Sequence, residues 1–255
     1  MSKTIVIANQ KGGVGKTTTA INLAAFLSNA QKKTLLIDID PQGNTCSGLG
    51  INIHDRQGNG IYEVLIGQKK IKNVIVETKY PFLKIVPVTL DLAGAQVELV
   101  NAPRKEYILK DAIAEISRDF DFILIDTPPS LGIFTLDGLV AADSVLIPMQ
   151  SEFYAMEGLA QLLKAIKLVK SGPNKNLAIE GVLITMFDPR TNLSKQVVEE
   201  VKNYFKEKVY DTIIPRNVRL SEAPSHGIAI FEYDYKSQGA DAYLNFGREF
   251  LKKVG

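Results

Sequence analysis

The segment from Asn9 to Ala20 reads NQKGGVGKTTTA and follows directly on the apolar run TIVIA at 4–8. Within it Gly12, Gly13, Val14, Gly15, Lys16, Thr17 and Thr18 have the types and order of a phosphate-binding loop. Its glycines let the backbone turn tightly and bring amide groups close to phosphate oxygens, and a helix opening at the loop adds the positive end of its dipole. Lys16 is spaced to reach β- and γ-phosphates, and the Thr17 hydroxyl to ligate Mg2+. Two features depart from the pattern G-x-x-x-x-G-K-[ST]. Gln10 stands where a glycine is expected, and Lys11 adds a second cation at the start of the loop.

Carboxylates recur after other apolar runs. Asp126 ends the run FILID (122–126), and an acid at such a strand end, in the company of a phosphate loop, is placed to hold Mg2+ through water. By itself the same residue would read as a turn cap. In DIDPQGN (38–44) strand alternation sends Asp38 and Asp40 to one side, with Asp40 nearer the open end. There it can orient an attacking water, or it can simply cap the turn made by Pro41 and Gly43.

These groups need a frame. Strands are expected at 3–9, 32–40, within 119–129, at 142–150, 177–187 and 209–215, with a further one at 84–88. Helices are expected at 15–30, 91–101, 105–117, 154–171, 193–208 and 239–254. Near-continuous apolar strands alternating with helices predict an α/β fold: a mostly parallel twisted sheet covered on both faces, as one P-loop domain over 1–255. In such sheets ligands bind outside the carboxyl ends of the strands, where the polar clusters of this chain fall.

Composition narrows the classes. The chain is 45% hydrophobic and 23% charged with net charge +2, so neither a disordered chain nor a globally polyanion-seeking one is indicated. A single cysteine, Cys46, suits a reducing compartment and excludes a C-x-x-C metal site. No uncharged apolar run approaches the ~18 residues of a membrane span, and the N-terminus lacks the length of a secretory signal, so a cytoplasmic protein is expected.

The motifs KGGVGKTT, DIDPQGN and ILIDTPPS at these spacings resemble the ParA/MinD group of deviant Walker A ATPases. The downstream TNL, IPRNVRLSEAPSHG and YAMEGL stretches narrow the likeness to chromosomal ParA proteins of the Soj type, across essentially the whole chain. The resemblance implies ATP and Mg2+ as ligands. It implies that Lys11 reaches across an ATP-sandwich homodimer to the partner's phosphates, doing in trans what an arginine finger does elsewhere. Lys16 and Asp40 then join it in catalysis, Thr17 and Asp126 serve the metal, and Pro215 and Asn217 flank the adenine. It further implies non-specific double-stranded DNA and a ParB-type centromere-binding protein as partners, hence a nucleoid-associated location. The iron-protein branch that bridges a cluster with two cysteines per subunit is excluded by the lone Cys46. A small-molecule kinase has no use for Lys11.

Within the group, ParA-type proteins bind DNA and MinD-type ones bind membrane. Residues 164–219 carry 11 basic and 6 acidic residues. Lys195, Lys202 and Lys206 fall on one stripe if 193–208 is a continuous helix, and Arg190 and Arg219 lie in neighbouring loops. The resemblance favours the two arginines as DNA contacts. A MinD-like membrane-associated ATPase is the alternative, but the apolar stripe Tyr243, Phe246, Phe250 and Val254 reads as a packed C-terminal helix, and no membrane partner is expected.

Overall fold

The computed structural model describes residues 2–99, 104–152 and 155–254. The strands are β1 (Lys3–Ile7), β2 (Thr34–Asp38), β3 (Val76–Glu77), β4 (Leu83–Val86), β5 (Phe122–Asp126), β6 (Ser144–Gln150) and β7 (Ala178–Thr185). They form one sheet in the order β3-β4-β2-β5-β1-β6-β7, parallel throughout except for β3, which lies antiparallel on β4. Strands β2, β5 and β6 are buried along their whole length, as their unbroken apolar runs require when helices cover both faces.

The first helices are α1 (Lys16–Asn29), α2 (Asn44–Gly48), α3 (Ile61–Leu65), α4 (Leu92–Leu99), α5 (Ile108–Ile116) and α6 (Ile133–Ala141). They are followed by α7 (Ala155–Ser171), α8 (Asn192–Phe205), α9 (Val218–Glu222), α10 (Ile230–Tyr233) and α11 (Gln238–Val254). Right-handed crossovers place α5, α6, α7 and α8 on one face of the sheet. On the other face α1 packs against α11.

Strand register positions the chemistry. Central β5 pairs with both β1 and β2, so Asp126 sits opposite Ile7 on one side and Asp38 on the other. The phosphate loop leaves β1 at this same carboxyl edge, and the 39–44 turn leaves β2 there.

Helix α11 buries the apolar stripe expected of it. Tyr243, Phe246 and Phe250 are in the core, and a Cβ at Gly247 would overlap the ring of Phe26 on α1. That stripe is therefore an internal contact and offers no apolar face to a membrane.

Several expectations need correction. Segment 209–215 is not a regular strand: it meets β7 at the isolated pairing of Val209 with Val182 and where the Ile214 amide donates to the Ile184 carbonyl, and past the end of β7 Pro215 pairs with Phe187. The Glu249 carboxylate takes the amides of Asp211 and Thr212, and Pro215 has no N–H to give. The helix expected to run to 208 ends at Phe205, because Lys206 adopts φ 51 and a 3-10 turn follows. Helix α6 was not visible in the sequence. The ends of two expected helices, at 100–101 and at Tyr154, lie outside the described residues.

Candidate nucleotide site

The loop between β1 and α1 turns at Gly13 and Gly15, with φ of 72 and 84, a region that side chains rarely adopt. Gly12 needs no such conformation and packs near Pro129, so of the three loop glycines the turn rests on Gly13 and Gly15. Gly15 caps α1 without any side-chain hydrogen bond, leaving the first-turn amides free for an anion. Val14 is buried and its carbonyl accepts from Thr185 Oγ1 at 2.8 Å, which ties the loop to β7. Gln150 Nε2 donates to the Gly13 carbonyl at 2.9 Å and ties it to β6.

Lys16 is buried, with Nζ donating to the Lys11 carbonyl at 3.2 Å. Burial lowers its pKa, while the charges of Asp126 and Asp40 act in the opposite sense. Thr17 Oγ1 donates to Asp126 Oδ2 at 2.8 Å, and Thr45 Oγ1 on α2 donates to the same oxygen at 2.6 Å. Asp126 is wholly buried. Its pKa is pushed up to about 6 by burial, against the pull of the two hydroxyls and Lys16. Its second oxygen, Oδ1, is buried with no hydrogen-bond partner. A bare carboxylate oxygen behind a threonine hydroxyl is an all-oxygen donor set of the kind a Mg2+ ion with its waters takes. The residues present therefore fit the metal that the loop implies.

Asp38 and Asp40 part company. Asp38 is wholly buried, accepts from the amides of Asp40 and Cys46 at 3.1 Å each, and pins the 39–46 turn. Burial and neighbouring Asp126 raise its pKa to about 7. Asp40 caps the turn by accepting from Gln42 N at 3.0 Å and also lines the open cavity. Turn cap and cavity wall are thus one residue.

That cavity, about 500 Å3, is bounded by Gly13, Lys16, Thr17 and Asp40 on one side and by Ser47 and Pro224 on the other. A narrower recess of about 120 Å3 adjoins it, and Pro215 and Asn217 are in its wall together with Leu220 and Tyr243. Thr18 faces both. Asn217 also accepts from the Arg219 amide at 2.9 Å and so caps α9.

Lys11 points elsewhere. Its Nζ lies 2.6 Å from Glu152 Oε2 and 3.2 Å from Gln150 Oε1, beyond the end of β6. The remaining expected residues are also outside the cavity wall. Arg190 forms a two-pronged pair with Asp188 at 2.9 and 2.7 Å. Arg219 pairs with Glu222 at 2.9 Å and Asp234 at 3.5 Å. Lys195 and Lys202 are exposed on α8 but alternate with exposed Glu199 and Glu200, and Lys206 lies past the helix end, so no continuous basic stripe forms there.

Sequence reasoning missed Thr45, Gln150 and Glu152. Thr45 directly follows DIDPQGN, Gln150 ends β6 next to β1 and Glu152 lies two residues past that end; their roles depend on tertiary pairing that no local pattern carries.

A family profile described as "AAA domain" matches residues 2–179. The chain is 54% identical over 253 residues to a chromosome partitioning protein ParA of Myxococcus xanthus, covering 99% of this chain and 89% of that one. It is 53% identical over 249 residues to the sporulation initiation inhibitor protein Soj of Bacillus subtilis, covering 98% of both. Among solved structures, a cobyrinic acid a,c-diamide synthase of Mycobacterium smegmatis, with bound ATP analog and magnesium, superposes with a TM-score of 0.86. It is 36% identical and covers 99% of this chain and 95% of that one. The profile match and the two full-length identities lead to one conclusion: the chain belongs to the AAA-domain family and, within it, to the ParA/Soj family of chromosome-partitioning proteins.

Proposed function

We propose that the chain is a Mg2+-dependent ATPase working as one unit over its whole length, in which ATP assembles a homodimer that binds duplex DNA without sequence preference. The observation that carries the nucleotide half is the buried Asp126, held by Thr17 and Thr45 under the glycine loop with one oxygen still unpartnered. The names of the relatives support the DNA half.

In this reading the loop amides and Lys16 hold the β- and γ-phosphates, and the recess by Pro215 and Asn217 receives the base. Thr17 would ligate the metal and Asp126 would hold its waters; Mg2+ held there would supply positive charge against the charge that develops on the phosphates. Asp40 orients the water that attacks the γ-phosphorus. The β–γ bridging P–O bond then breaks, leaving ADP and inorganic phosphate. Lys11 leaves Glu152 and meets the γ-phosphate across the dimer. Without that phosphate the two subunits separate and their DNA contacts, with Arg190 and Arg219 among them, are no longer paired. A ParB-type DNA-bound partner stimulates hydrolysis, so the protein cycles on and off DNA in the cytoplasm.

Light scattering with ATP, with ADP and without nucleotide tests the assembly step. A dimer with ATP and Mg2+ alone supports the reading. A mass that never changes with nucleotide contradicts it.

A further inference from the structure

The excess of basic residues in 164–219 has a different address from the one its arginines suggest. Between Gly158 and Ile179 there are four lysines, Lys164, Lys167, Lys170 and Lys175, and no acidic residue. From Glu180 to Arg219 seven basic residues face six acidic ones, which is close to balance. The whole chain has a net charge of only +2, so this short segment exceeds the protein's entire surplus.

The structure sharpens the contrast. Lys164, Lys167 and Lys170 are all exposed on α7, and among the described residues none of them, nor Lys175, forms an ion pair. Arg190 and Arg219, by comparison, are each already paired with carboxylates of this chain. An ion-paired arginine must give up its partner before it can meet a phosphate, whereas an unpaired lysine meets one at no such cost.

The three helical lysines follow one another at three-residue steps, spanning about 9 Å of helix axis and an arc of about 120°. The opposite side of α7, with Leu159, Leu162, Ile166 and Val169, is buried on the sheet, so the basic side faces solvent by construction. Helices α7 and α8 are consecutive crossovers on one sheet face, so this surface lies on the same side of the sheet as α8, which carries Lys195 and Lys202. Leu168 is the one large exposed apolar side chain on α7 among the described residues, too little for a membrane-binding face.

We infer that the exposed face of α7 is a phosphate-backbone contact for duplex DNA. This rests on the DNA-binding reading above and adds Lys164, Lys167 and Lys170 to Arg190 and Arg219 as the larger electrostatic contact. Contacts of this type position the protein and raise affinity without reading bases, as binding without sequence preference requires.

The test is anisotropy of a labelled duplex of arbitrary sequence with ATP and Mg2+ across a salt titration. It compares the wild-type chain, the triple variant Lys164→Gln/Lys167→Gln/Lys170→Gln, and a charge-matched control at exposed lysines elsewhere, Lys32→Gln/Lys70→Gln/Lys72→Gln. Each lysine that meets a phosphate adds about 0.9 to the salt slope, so the α7 variant should lose roughly 2 to 3 from that slope per protomer and at least tenfold in affinity at low salt. The control should change far less, and all three proteins should melt alike and bind ATP alike because every altered side chain is exposed. An α7 variant no weaker than the control, alongside an Arg219→Glu variant that loses binding, overturns this inference and leaves the DNA reading standing. Binding by the wild-type chain to vesicles of anionic lipid and to no duplex, or to neither, overturns both.

Discussion

Lys11 Nζ lies 2.6 Å from Glu152 Oε2, and this pair ties the extra lysine of the phosphate loop to the end of β6 instead of to the cavity the loop surrounds. Gln150 adds a second acceptor at 3.2 Å, while Arg216 approaches the other Glu152 oxygen at 3.8 Å. The pair is partly exposed, so releasing it costs about 1 kcal/mol or less. A lysine held this loosely is free to serve another subunit.

Lys11→Ala should therefore keep nucleotide binding, since Lys16, the loop amides and the free α1 terminus remain. It should abolish the ATP-dependent dimer. Nucleotide affinity by fluorescence and mass by light scattering check the two halves separately. A tight ATP dimer of this variant would refute the role in trans.

Asp40 both caps its own turn and lines the cavity. If it orients the attacking water, Asp40→Ala should bind ATP and accumulate the dimer, with turnover lowered by about 100-fold or more. Single-turnover hydrolysis is the measurement. Turnover within twofold of wild type would leave Asp40 as a turn cap only.

Thr45 donates to the same Asp126 oxygen as Thr17 does, but from α2 rather than from the helix that follows the phosphate loop. Thr45→Val keeps the shape and removes one of those two donors. Outer residues that orient a metal-binding carboxylate are worth about 10- to 100-fold in affinity, so the Mg2+ titration of ATP turnover should shift upward by about tenfold. An unshifted titration would show that Thr17 alone suffices to orient Asp126.

Burial holds Asp38 near a pKa of about 7 and Asp126 near about 6, both above the ordinary carboxylate range. In the metal-free protein the folded state then binds more protons than the unfolded chain between about pH 4 and 7. The contribution of these two groups to stability must fall as pH rises through that window. Urea unfolding of metal-free protein at about pH 5.5 and about pH 8 should show this loss, and Asp38→Asn should reduce it. The affinity for Mg2+ should move oppositely, rising as Asp126 ionises. A pH dependence identical in wild type and Asp38→Asn would contradict the raised pKa.

How much of this was readable beforehand depends on the range of the interaction concerned. The phosphate loop, Asp126 and the central strands were legible because each is a local pattern: glycines at fixed offsets, or an apolar run closed by an acid. Helix α6 was not. Phe134, Thr135, Leu139 and Val140 are all buried, so it has no polar side to set a 3.6-residue rhythm. The 209–215 run had strand composition, yet Glu249 on α11 takes two of its amides, a competition set by tertiary structure. Lys206 looked in phase with Lys195 and Lys202 until one backbone torsion ended the helix. The contacts of Thr45 and Glu152 join segments 81 and 141 residues apart, beyond any local signal.

The central claim is that ATP controls DNA binding, and anisotropy of a labelled duplex with the wild-type chain tests it most directly. With Mg2+ and ATP the account predicts binding to any sequence that weakens steeply as salt is raised, and with ADP none at the same protein concentration. Equal binding in the two nucleotide states, or none in either, would contradict it.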